Sequence, residues 1–80
     1  MKRDIAFRME RPGLLHEGDE VEMTESRLNT LGGTVYYYTI EPALAMSSNI
    51  PASERLTSLR ALVREIRFAD SVYTVIAACE

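Results

Sequence analysis

The chain has 80 residues, 46% of them hydrophobic and 26% charged, with a formal net charge of −3. That length makes one domain, residues 1–80, and the composition excludes wholesale disorder. The acidic balance argues against a general nucleic-acid binder, and no apolar run is long enough to span a bilayer.

The single cysteine, Cys79, has no partner in the chain, so no internal disulfide staples the fold. Met1-Lys2-Arg3-Asp4 leads into alternating residues rather than an apolar run, so no secretory signal is expected. Together these features point to a cytoplasmic setting.

Asp4 to Glu10 reads as a strand, with Ile5, Phe7 and Met9 on one face and Asp4, Ala6, Arg8 and Glu10 on the other. Pro12-Gly13 breaks it. Leu14 to Asp19 is a connection, and Glu20 to Met23 alternates as a short strand. Thr24 then suits the N-cap of a short helix over Glu25 to Leu31, ended by Gly32-Gly33. A rival reading is one longer helix from Glu20, with Val21, Thr24, Leu28 and Leu31 inward.

Thr34 to Glu41 carries the strongest strand signal, a β-branched and aromatic run without charge on either face until Glu41. Val35, Tyr37 and Thr39 point one way; Tyr36, Tyr38 and Ile40 point the other. Pro42 interrupts it. Ala43 to Met46 continues extended or makes one turn, and Ser47-Ser48-Asn49 is loop. From Pro51 to about Phe68, the spacing of Leu56, Leu59, Leu62, Val63 and Ile66 predicts a long amphipathic helix. Asp70-Ser71 marks its exit. Val72 to Cys79 is a final strand, apolar on both faces and so interior, beside the tyrosine strand.

The expected fold is therefore α+β, in the order β-β-α-β-α-β. A small sheet of three or four strands would carry the long helix on one face, with a second short helix. If the tyrosine strand and the last strand were parallel neighbours, the long helix would be their right-handed crossover.

No catalytic or metal-binding constellation stands out, and no cofactor is expected. His16 lies near Glu17 and Asp19 but has no nucleophile beside it and no second ligand at a recognisable spacing. Cys79 sits among alanines with no base next to it. Gly32-Gly33 is followed by Thr34-Val35, which is no phosphate-binding loop.

Three surface features remain. Glu17, Asp19, Glu20, Glu22 and Glu25 form an acidic run with no basic residue among them. It reads as a solvated edge, or as an anionic patch that docks on a basic surface. Arg60, Arg64 and Arg67 would line one flank of the expected helix, with Glu54 and Glu65 on the opposite flank. Carboxylates from the acidic run, or a partner's, would have to offset that repulsion. Tyr36 and Tyr38, or Tyr37, would be exposed on any sheet face the helix leaves uncovered.

These features suggest a small acidic, non-enzymatic protein-interaction domain. It would be an inhibitor or adaptor, for example a phage or mobile-element inhibitor of a host defence complex. Its partner would be another protein with a basic surface, or a second copy in a homodimer; no membrane is expected. One alternative is a nucleic-acid-binding module using the Arg60, Arg64 and Arg67 flank. Another is a small enzyme with a site formed at an interface.

Overall fold

The computed structural model describes residues 3–42 and 45–80. It is almost entirely β: β1 (Arg3–Met9), β2 (Glu20–Thr30), β3 (Gly33–Ile40), β4 (Ala45–Ser47), β5 (Ile50–Pro51), β6 (Arg60–Ala69) and β7 (Val72–Cys79). One turn of 3-10 helix, Ala52–Glu54, follows β5. The strands run in the order β2-β6-β7-β1-β4-β3-β5, and β2 also pairs with β3, so six strands close into a barrel. Every pairing is antiparallel.

The expected α+β fold is thus corrected: both helices of the sequence reading are strands. The long-helix segment divides into β5, the 3-10 turn, an irregular stretch and β6. In β6, Ala61 and Val63 face the interior in strict alternation. A bulge at Arg64 then inserts one extra residue, so Val63 pairs with Ala77 but Ile66 with Val75. Ala77 and Val75 are both fully buried, so the inward positions on β6 jump from 63 to 66. That spacing of three is also the spacing of a helix face. Leu59 and Leu62, which completed the apparent stripe, are instead substantially exposed.

The short helix over Glu25 to Leu31 is the second half of β2, an 11-residue strand. Val21, Met23 and Glu25 point inward, and Thr24, Ser26 and Leu28 point outward. Leu31 and Gly32 make a tight two-residue β2–β3 turn, with Thr30 opposite Gly33, the first residue of β3, at φ +119. Asp70 and Ser71 likewise make the two-residue turn of the β6–β7 hairpin, both with positive φ. The last strand spans Val72–Cys79 as expected, but its neighbours are β1 and β6, both antiparallel. There is no crossover between it and β3.

Of the stretch expected between Pro42 and the loop, residues 43 and 44 lie outside the described residues. Ala45 and Met46 are extended, and Ser47 belongs to β4 rather than to a loop. Among the described residues no helix is long and apolar enough to cross a membrane.

The interior is filled by one side of each strand: Phe7 and Met9, Val21 and Met23, Tyr36, Tyr38 and Ile40, Ala45, Ala61 and Val63, Val75, Ala77 and Cys79. Leu15 closes one end of the barrel and Leu56 the other. Two hairpins outrun this core in opposite directions. β2 pairs with β6 through Glu20–Glu22, so among the described residues β3 is the only strand beside residues 24–30. β6 likewise extends beyond the start of β2.

Candidate interaction surfaces

The polar chemistry of the barrel is concentrated at the Leu56 end. Glu25 is an inward-phase residue of β2, opposite Tyr38 on β3. The Tyr38 hydroxyl donates to Glu25 Oε2 at 2.7 Å and accepts the backbone N–H of Leu56 at 3.0 Å. Arg55 grips the same carboxylate with both arms of its guanidinium, Nε at 3.0 Å and Nη2 at 2.8 Å. Its guanidinium also lies 4.7 Å from the centroid of the Tyr36 ring. Hydrogen bonding from Arg55 holds the Glu25 carboxyl below its ordinary range; burial opposes this and Tyr38 assists it. Burial, then the Glu25 contact, pushes the Tyr38 hydroxyl up. The cluster fixes the segment after β5 over the barrel end, and Tyr38 itself has no exposed surface.

This arrangement redistributes the residues singled out in the sequence. Tyr36 and Tyr38 are interior, and neither presents its ring to solvent; Tyr37 faces outward and is half-buried. The acidic run is dispersed. Glu25 meets Arg55, Glu22 meets Arg60 at 3.1 Å, Glu17 accepts the N–H of Ile66, and Asp19 accepts the N–H of His16. Arg60, Arg64 and Arg67 lie on a strand and each finds a carboxylate. Arg64 reaches Asp4 at 3.1 Å and Arg67 reaches Glu65 at 2.9 Å. Of these three, only Arg60 is answered by the acidic run. Glu65, assigned to the far side of a helix, is two residues from Arg67 on a strand and therefore on its face.

His16 is well exposed, with Nδ1 3.8 Å from Asp19 Oδ2. Among the described residues no group of three or more His, Cys, Asp or Glu could hold a metal ion. Cys79 is buried, and that burial pushes its thiol up to about 11, so it is protonated at neutral pH.

The surface that sequence reasoning missed is the outer face of the β2–β3 hairpin. Leu28, Val35 and Pro51 lie in register across three strands, and Tyr37 sits in the next row opposite Ser26. Leu28 is 44% exposed and Leu31, at the tip, is fully exposed. The rival helix from Glu20 put Leu28 and Leu31 inward. Period-two counting from Val21 puts Leu28 outside, which is the signal that could have found this surface. Glu20 and Glu22 lie on the same outward phase nearer the barrel. A second exposed aromatic, Phe68, lies at the tip of the other hairpin, with its ring centroid 4.5 Å from that of Tyr73.

Comparison with known proteins finds no matching family model, no similar curated protein and no similar solved structure.

Proposed function

We propose that this protein is a small non-enzymatic interaction domain. It docks another protein through the outer face of the β2–β3 hairpin. The observation that carries this reading is a projecting hairpin with a contiguous apolar face, Leu28, Val35, Tyr37 and Pro51, capped by a fully exposed leucine at its tip. Exposed apolar surface of this kind costs solubility unless it is covered by a partner. Glu20, at the root of the hairpin and without a basic partner among the described residues, favours a partner whose apolar pocket is flanked by a basic group. Inhibition or bridging of a larger protein needs no chemistry beyond this contact.

The nucleic-acid reading is less well supported, because the three arginines it relied on each sit beside a carboxylate. The test is capture of the partner by tagged wild-type protein and by Leu31→Lys and Tyr37→Ala variants. We expect one partner retained by wild type and lost by at least tenfold in both variants. Equal capture by all three would overturn the proposal.

A further inference from the structure

A cleft of about 580 Å³ opens at the opposite end of the barrel from the β2–β3 tip. Its floor is sheet. Arg8 on β1 pairs with Met46 on β4, which pairs with Thr39 on β3. The β4 strand is pinned there because Ser47 Oγ accepts the N–H of Tyr38 at 2.9 Å and donates to the carbonyl of Ser48 at 2.9 Å. The walls are the turn after β1, bearing Arg11 and Leu14, and Pro42. Leu14 and Met46 are 39% and 51% exposed, so the cleft offers apolar surface to an occupant. Its size lies within the ordinary range for small-molecule sites.

The charges of this cleft set it apart from the rest of the surface. Arg3, Arg55, Arg60, Arg64 and Arg67 all have carboxylate partners. Among the described residues, Arg8, Arg11 and Arg27 do not, and two of these line the cleft. Glu10 shares the lining but forms an ion pair with neither guanidinium. A molecule with net charge −3 thus keeps two unanswered guanidiniums over apolar surface. The guanidinium fork matches a carboxylate in shape and charge.

We infer that this cleft binds a small carboxylate with an apolar body: the carboxylate lies between Arg8 and Arg11, and the body lies against Met46 and Leu14. The inference is independent of the hairpin surface.

The test is a titration followed by amide chemical shifts in the full chain, with octanoate, 1-octanol and inorganic phosphate as probes. Octanoate should give saturable shifts confined to residues 8–14, 39 and 46–48. Its affinity should be at least tenfold that of octanol or phosphate. An Arg8→Gln, Arg11→Gln double variant should lose at least tenfold. Both side chains are exposed and unpaired, so it should fold, which its amide spectrum would verify. Leu31→Lys should bind octanoate as wild type does. The inference is overturned if octanoate gives no saturable shift, if octanol or phosphate binds equally well, or if the double variant binds unchanged.

Discussion

Tyr38 is where the apolar interior meets the polar cluster, and its hydroxyl serves two partners at once. Removing it in Tyr38→Phe leaves the buried N–H of Leu56 without an acceptor and takes a donor from Glu25. Losing a buried partner of this kind costs about 1–3 kcal/mol. We expect a lower denaturant midpoint with an unchanged slope. Glu25 adds a pH dependence. Its folded pKa lies below the ordinary 4.5, so the unfolded chain takes up the proton more readily. The stability from the Arg55 contact is therefore full above about that value and is lost as pH falls through the depressed folded value. Glu25→Gln should be less stable at neutral pH and should show a shallower acid limb, measured by thermal melts across pH. Glu65, lowered by its hydrogen bond from Arg67, remains in that variant, but the pair is exposed and contributes little. An acid limb as steep as wild type would exclude Glu25 as its source.

At the scale of elements, the two hairpins organise the fold and their turns do so by different means. Gly33 supplies a positive φ without strain, whereas Asp70 and Ser71 adopt φ 52 and 63 with side chains in place. A two-residue turn with both φ positive is the one that matches strand twist, and it favours glycine at its second position. Ser71→Gly should raise stability by about 1 kcal/mol, read as a higher denaturant midpoint; a fall would mean that the Ser71 side chain makes a contact worth more than the strain. Strands with clean alternation or dense β-branched content were legible in the sequence: β1 from Ile5, Phe7 and Met9, β3 from its tyrosines, and β7 from its apolar run. β6 was not, because its bulge shifts the inward phase between Val63 and Ile66 and so imitates a helix. The outer half of β2 was not, because only one face of a projecting hairpin needs apolar residues and Thr24 resembles a cap. The candidate site followed the same division: the acidic run and the arginines were visible as residues, but their partners depend on strand register. Arg8 was read only as an outer-face strand residue and Arg11 was not singled out, since nothing local shows that they lack carboxylates.

For the molecule as a whole, the barrel consists of two well-paired units joined by short seams. β6, β7 and β1 share long registers, as do β2 and β3, whereas β2–β6, β1–β4 and β3–β4 meet over two or three residue pairs. The β2–β6 seam is reinforced at both its ends: Gly18 and Asp19 bond to Val63, the N–H of Met23 to Leu59, and Arg60 to Glu22. Amide exchange should be faster at these seams than within the β6–β7 hairpin, because fewer bonds must open. Closure also leaves the molecule with two separate surfaces, the hairpin face at one end and the arginine-lined cleft at the other. A macromolecular partner at the first and a small anion at the second would not compete for space.

The central claim is that function resides in the outer face of the β2–β3 hairpin. Hydrogen exchange on the protein with and without its captured partner tests it most directly. We expect partner-dependent protection in residues 26–37 and at Pro51's neighbours, with the β6–β7 hairpin unchanged. Protection confined to β6–β7 or to the cleft, with residues 26–37 exchanging as in the free protein, would contradict it.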